Sequence, residues 1–277
     1  MKRPRTLLVC LLLSAAASRA SSSPVPSPAP AAPAATAPVA AQRPAAPPPS
    51  PATQEAAALA QRGNVNGAIT RLERDRAQLD ARGVSLLGAL YLQAQRPAEA
   101  LSVLRPLADA KDAAAAVLYN AGRAALLAGD TEHAQVYLAR SVGADPTSPA
   151  VRDLGLLLSR QGQVVEAYAL LRPWTLHHAD DGDARLVAAT LAITLERPQE
   201  AEQLLTGLVE SPAVQLLHVR ARVQLGDAAG AMRALQPVLA QQHPAAMDLE
   251  VRRAAAEAYL LAGQASKAVE QLAGKAG

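Results

Sequence analysis

Small and apolar residues recur along this chain with a period close to 34 residues. In each copy a small residue is followed twelve positions later by an alanine, and four positions after that by a leucine. The seven alanines are Ala68, Ala100, Ala134, Ala167, Ala201, Ala231 and Ala268. Residues i and i+4 share a helix face, so the alanine and the leucine predict the buried stripe of one helix, with the small residue in the helix before it. Such a period predicts a solenoid of paired helices.

Short turns separate the two predicted helices of each copy. Five turns contain a glycine where the end of a helix favours a left-handed residue; these are Gly63, Gly129, Gly162, Gly226 and Gly263. The other two turns read Gln95-Arg96-Pro97 and Glu196-Arg197-Pro198. They place proline at the start of the second helix, where its missing N–H costs little.

Residues 115–147 form the best copy, and they resemble the tetratricopeptide repeat (TPR) family. Gly122, Gly129-Asp130, Ala134, Leu138 and Asp145-Pro146 stand at the offsets that the family uses. The resemblance covers roughly residues 49–277 and implies an all-α, right-handed superhelical solenoid of about seven helix-turn-helix repeats. Copies five and six depart most, with Arg185 and Gln215 where an apolar residue is usual.

In the TPR family the first helices line a concave groove that binds an extended or helical ligand. The resemblance therefore implies a partner-binding groove that includes Tyr119, Asn120, Arg123, Arg152, Asp153 and Arg220. Asn120 matches a groove asparagine that can bond a ligand backbone, and the arginines could engage carboxylates bidentately. The groove lysines of carboxylate-clamp TPR proteins are missing. The alternative for each arginine is a solvated face or a local ion pair, and Tyr91 and Tyr259 are expected in the core.

Three of the predicted second helices contain an internal proline. Pro106, Pro173 and Pro237 follow the leucine of copies two, four and six by two positions. Proline within a helix costs about 3 kcal/mol and kinks or ends it. These helices are therefore expected to bend or to end at the proline.

The N-terminus reads as an export signal followed by a linker. Residues 1–20 combine basic residues with an apolar run at 6–13 and small residues that predict cleavage after Ala17 or Ala20. That run is shorter than the roughly 20 residues needed to span a bilayer, so no integral membrane segment is expected after cleavage. Retention as an anchor is the alternative. Residues 21–52 are almost wholly Pro, Ala and Ser, which predicts a disordered spacer. Residues 53–277 are expected to form the solenoid.

Charge argues against binding of nucleic acid. The whole chain has 27 Lys and Arg against 24 Asp and Glu. Removal of residues 1–20 takes four basic residues and no acidic one, which leaves 23 against 24. A nearly neutral mature protein lacks the basic surface that nucleic-acid binding uses. Its one cysteine, Cys10, leaves with the signal.

No catalytic motif is present in the sequence. Residues 177–183 read His-His-Ala-Asp-Asp-Gly-Asp, but adjacent histidines point in different directions. This stretch is expected to be a solvated turn, with an aspartate near the positive end of the following helix. We expect no enzyme activity, no metal and no cofactor.

The resulting expectation is a non-enzymatic scaffold exported to a periplasm or cell envelope. It would bind a peptide or a partner subunit in its groove. Exported TPR proteins suggest assembly of a secretion, pilus or polysaccharide-export complex. The alternative is a structural protein that assembles with itself or bridges envelope layers.

Overall fold

A computed structural model describes residues 48–241 and 245–273, with only the backbone of residues 245–247. The predicted signal and most of the predicted linker lie outside the described residues. Among those residues the regular structure is helical throughout. The helices are α1 (Pro51–Gln61), α2 (Val65–Arg74), α3 (Ala81–Gln93), α4 (Pro97–Ala108), α5 (Ala115–Ala128), α6 (Thr131–Ala144), α7 (Ala150–Arg160), α8 (Val164–His177), α9 (Gly182–Thr194), α10 (Pro198–Leu205), α11 (Pro212–Gln224), α12 (Ala228–Leu239), α13 (Ala245–Leu261) and α14 (Ala265–Ala273). A short 3₁₀ turn, Arg76–Gln78, lies between α2 and α3.

The helices form seven consecutive pairs, one for each copy of the sequence pattern. Each helix packs against the next one along the chain, and each first helix also packs against the first helix of the following pair. This contact pattern is that of a solenoid, because contacts stay between neighbours. The predicted all-α solenoid is confirmed.

Polar side chains mark where many of these helices begin. An Asp, Asn or Ser before the helix accepts a hydrogen bond from a backbone N–H of the first turn, which satisfies a donor that lacks an intrahelical partner. These capping residues are Ser50, Asn64, Asp80, Asp130, Asp181, Ser211 and Asp227.

In three copies the small residue of the first helix is a glycine that packs against the leucine of the same copy. A Cβ atom built on Gly88 would lie 2.4 Å from Cγ of Leu104. On Gly122 it would lie 2.7 Å from Cγ of Leu138. The seven repeat alanines are at most 1% exposed. Glycine in a helix costs about 0.5–1 kcal/mol relative to alanine, and close approach of the paired helices explains its presence.

The seven turns within pairs share one conformation. The second residue before each second helix has a positive φ, between 56° and 81°, including the non-glycine residues Gln95 and Glu196. The next residue donates its N–H to the carbonyl five positions earlier, at 2.8–3.0 Å. This is the Schellman hydrogen bond of helix C-termini. Pro97 and Pro198 are the first residues of α4 and α10, as predicted.

The expectation that helices end at the internal prolines is wrong. Helices α4 and α12 continue two residues beyond Pro106 and Pro237, and α8 continues four residues beyond Pro173. The residue after each helix still donates its N–H to the carbonyl four positions earlier, at 2.9–3.2 Å. A proline so close to a helix end removes one hydrogen bond while the last turn is retained.

The buried apolar residues form two clusters, which meet in α11. The first core extends from Ala56 to Ala221, and the second from Leu216 to Ala268. One face of α11, with Leu217, belongs to the first core, and another, with Val219, belongs to the second.

Candidate functional site

Five of the six predicted groove residues lie on two neighbouring first helices. Tyr119, Asn120 and Arg123 are on α5, and Arg152 and Asp153 are on α7. The i+3 and i+4 spacings of a helix place Asn120 and Tyr119 on the same face as Arg123, and the packing of α5 against α7 brings that face close to Asp153. Arg220 lies on α11, two pairs further along, and is not part of this cluster.

Asp153 is the residue that joins the two helices. Burial raises the pKa of the Tyr119 hydroxyl, and the negative charge of Asp153 raises it further. The guanidinium of Arg123 lies 5.7 Å from the centroid of the Tyr119 ring and 4.0 Å from Oδ2 of Asp153. The Arg123 side chain is 45% exposed. Its one long ion pair leaves the guanidinium accessible to a ligand.

Arg152 is engaged much more closely. Its Nε donates to Oδ2 of Asp181 at 2.7 Å, and its terminal nitrogens lie 3.4 Å from Asp153 and 3.7 Å from Asp183. The hydrogen bond to Asp181 is the main reason that the pKa of Arg152 is raised. Arg152 therefore fits the alternative named for each groove arginine, an ion pair within the protein. Its main partner, however, belongs to the next helix pair.

Asp181 connects three helices. Its carboxylate accepts hydrogen bonds from Arg152 on α7, from Nε1 of Trp174 on α8 at 2.9 Å, and from the backbone N–H of Ala184 in α9 at 3.1 Å. Burial alone would raise the pKa of Asp181, but the hydrogen bonds from Arg152, Trp174 and Ala184 outweigh it and lower the pKa. The His178 ring stacks on Trp174 with centroids 3.5 Å apart.

Asp181 is thus the aspartate that was expected near the start of the helix after residues 177–183, and it caps α9. Its side chain is only 15% exposed. Within residues 48–241 and 245–273, no three His, Cys, Asp or Glu side chains are grouped so that they could hold a metal ion. The sequence offered one clue to this cluster, namely the only tryptophan of the chain.

Asn120 and Arg220 are the two predicted groove residues whose side chains make no hydrogen bond or ion pair with another described residue. Both are partly exposed. An asparagine amide carries two donors and an acceptor, so Asn120 could bond both polar groups of a peptide unit. Tyr91 and Tyr259 are 3% and 8% exposed and belong to the core, as predicted.

A second polar cluster, which sequence analysis did not find, joins the fifth and sixth pairs. Glu202 on α10 lies 3.1 Å from Nδ1 of His218 and accepts a hydrogen bond from Nε of Arg222 at 3.0 Å. Arg222 also donates to Asp227 at 3.0 Å. His218 and Arg222 line a cavity of about 450 Å³.

No helix among the described residues has the length and apolar character that a membrane span requires.

No family model and no curated protein matches this sequence. Solved structures do resemble it. PilF of Pseudomonas aeruginosa is 19% identical, aligns over 73% of this chain and 94% of its own, and gives a TM-score of 0.52. MamA is 15% identical over 64% of this chain and 92% of its own, with a TM-score of 0.50. A tetratricopeptide repeat protein from Parabacteroides merdae is 16% identical over 80% of this chain and 90% of its own, with a TM-score of 0.49.

Sequence identity as low as that to these solved structures shows a shared fold and no more. Seven helix pairs in register with a common turn are also features that the resemblance to TPR proteins implied. The chain therefore has the TPR fold.

Proposed function

We propose that this chain is a non-enzymatic interaction scaffold that binds a peptide or a partner subunit on the exposed face of α5 and α7. The observation that carries the proposal is the pairing of an unsatisfied amide, Asn120, with an accessible guanidinium, Arg123, one helical turn apart on the same face. A surface with free directional donors suits a polypeptide, whose backbone presents acceptors at regular intervals.

The charges of this surface define the ligand more closely. Arg152 is neutralised by Asp181 and Asp153, so it positions other residues and does not grip a carboxylate. Arg123 is the cation left for the ligand. We infer a ligand whose backbone bonds Asn120 and whose carbonyl or carboxylate oxygen meets Arg123, with the partly buried Tyr119 ring beneath it.

We place this scaffold in the periplasm or cell envelope. Support comes from residues 1–20, where Lys2, Arg3 and Arg5 precede an apolar run and small residues. The proline-rich residues 21–52 would then act as a spacer that holds the helices away from the envelope surface. A partner from a secretion, pilus or polysaccharide-export assembly fits that location.

Photo-crosslinking in cells tests the binding surface. A photoreactive residue is placed at position 120 or 123, and for comparison at Val165, which is 64% exposed on the second helix α8. We expect one polypeptide to be captured from 120 and 123 but not from 165. Equal capture from all three positions contradicts the proposal. So does capture from position 120 that Arg123→Ala leaves unchanged, together with capture from position 123 that Asn120→Ala leaves unchanged.

Self-assembly is the second candidate function, and the last helix pair favours it. Leu260, Val269 and Leu272 are 57%, 65% and 59% exposed there, and exposed apolar patches often mark interfaces. Light scattering during gel filtration distinguishes the two functions. A dimer or larger assembly that Val269→Ser with Leu272→Ser converts to monomer supports self-assembly, and a monomer at all concentrations rules it out.

A further inference from the structure

Four helix pairs contain a cavity at the same place in the repeat. Each cavity lies between the loop that enters the pair and the C-terminal end of the second helix. The residue six positions after the repeat alanine lines each of them; these residues are Pro106, Pro173, Gly207 and Pro237. Each is a residue with a short side chain or none. The cavity is therefore a consequence of the repeat geometry.

The third pair differs at the equivalent position. Arg140 stands there, and its guanidinium donates to the backbone carbonyls of Ala108 and Ala110. On the facing first helix, Leu118 is only 2% exposed. A long side chain that reaches the end of the preceding second helix thus occupies the position that proline or glycine has in the four pairs described above.

The four cavities differ in chemistry because the loop residue at their mouth differs. At 21 positions before the repeat alanine this residue is Leu79, Pro146, Asp180 or Glu210. The cavity of the fifth pair, about 430 Å³ in volume, combines an acidic mouth with an apolar wall. Leu186, Leu208 and Val214 form that wall, and Val209 beside them is 87% exposed.

Two acids and one cation line this cavity. The cation is Arg185, which donates to the carbonyls of Ala179, Leu204 and Thr206, so that its guanidinium is held against the end of α10. Asp183 is 88% exposed and lies 3.7 Å from Arg152. Asp180 forms no ion pair with another described residue, and its charge is available to a ligand.

We propose that the cavity of the fifth pair is a docking site for a polypeptide segment that presents an apolar side chain next to a lysine or arginine. The apolar side chain enters between Leu186, Leu208 and Val214, and the cation meets Asp180 and Asp183. The site stands apart from the Asn120–Arg123 surface on α5, so its failure leaves the proposed function intact.

Trp174 provides a direct reporter for the test. It is the only tryptophan of the chain, and its indole donates to Asp181, the cap of the helix whose first turn lines the cavity. The probe is a synthetic hexapeptide of alternating lysine and leucine, titrated in 150 mM salt while tryptophan fluorescence is recorded. The comparison probe is the same peptide with glutamate in place of lysine. We expect saturable binding of the lysine peptide alone.

Two sets of charge variants then locate the site. Asp180→Asn and Asp183→Asn together should weaken binding about fivefold, since each exposed pair contributes a fraction of a tenfold step. Glu166→Gln and Glu257→Gln remove the same charge from exposed positions elsewhere and should leave the dissociation constant within about twofold. Equal loss in both sets overturns the proposal, as does binding of the glutamate peptide or no binding of either peptide.

The apolar part is tested by Val209→Ser. This side chain is almost fully exposed, so its truncation should leave the fold intact. We expect a loss of affinity of several fold. Unchanged affinity in this variant contradicts the proposal, because the peptide would then be attracted by charge alone.

Discussion

The two cores of this solenoid are held by different kinds of contact. In the first core, three buried tyrosines each donate to a carboxylate of a neighbouring pair: Tyr91 to Glu73 at 2.6 Å, Tyr137 to Asp109 at 2.6 Å and Tyr168 to Glu200 at 2.7 Å. In the second core, Tyr259 lies 5.6 Å from the ammonium of Lys267. Hydrogen bonds from tyrosine therefore connect neighbouring helix pairs in the first core and fix how those pairs align.

The interface between the fifth and sixth pairs combines ion pairs with apolar contacts. Helix α10, with eight residues the shortest of the described helices, carries Glu202, which pairs with His218 and Arg222. Leu217 of α11 belongs to the first core on the same side. In a stack of repeats each interface contributes its own free energy, and partly exposed ion pairs add little to it. The comparison teaches that, among the described residues, hydrogen bonds from buried tyrosines connect neighbouring pairs in the first core and not in the second.

The largest test compares one repeat position in a middle pair and in the last pair. Leu138 is fully buried, whereas Leu272 at the equivalent position is 59% exposed. Leu138→Ala should lower the free energy of unfolding by about 2–5 kcal/mol through the cavity it leaves. Leu272→Ala should change it by at most about 0.5 kcal/mol. Urea unfolding followed by circular dichroism measures both, and comparable losses would show that exposure does not decide the effect at this position.

The next test concerns the close helix contact of the first core. A Cβ on Gly122 would meet the side chain of Leu138, but a Cβ on Gly143 would meet nothing within 4 Å. Gly122→Ala should therefore destabilise the protein by about 1–3 kcal/mol. Gly143→Ala, the matched control, should stabilise α6 by up to about 1 kcal/mol. If urea unfolding shows that both variants change the free energy of unfolding in the same direction, helix propensity alone determines their effect.

Alkaline unfolding sharpens the role of the tyrosine bridges. Burial, together with the hydrogen bond to a carboxylate, raises the pKa of Tyr91, Tyr137 and Tyr168 to about 12. Because the folded-state pKa exceeds the ordinary value of about 10, the stabilisation is present below pH 10 and is lost between about pH 10 and 12. Tyr137→Phe should cost about 1 kcal/mol at neutral pH.

The measurement is the urea midpoint of the wild type and of the triple Phe variant from pH 8 to pH 12. The triple variant should lose less stability over that range, because it has already lost the three bonds. A triple variant whose pH dependence parallels that of the wild type would contradict this assignment of the bridges.

The smallest effect concerns the turns. Both turns of the second core have glycine at the left-handed position, Gly226 and Gly263, whereas two turns of the first core have Gln95 and Glu196. Gln95→Gly should raise the melting temperature slightly, since relief of left-handed strain of about 1–2 kcal/mol exceeds the entropy cost of glycine. Gly129→Gln should lower it by a similar amount. Calorimetry would refute this if both changes lowered the melting temperature.

The sequence predicted the fold well because the fold repeats. Seven copies of one spacing, such as that of Gly122, Ala134 and Leu138, gave a signal that no single copy would carry. The residues of the candidate surface on α5 and α7 were predicted for the same reason. The partners of Arg152 were not, because Asp181 is 29 positions away and meets it only when the pairs stack. The sequence also did not predict that Leu272 is exposed, since the spacing of alanine and leucine does not show which residues of a neighbouring helix cover them.

The shared turn makes the repeats interchangeable units. The internal turn of residues 115–147 closes with the hydrogen bond common to all seven. A gene that duplicates this 33-residue cassette would encode a longer array in which every pair keeps the same internal turn. The length of the binding face can therefore change by whole modules, through recombination in nature or by splicing in the laboratory.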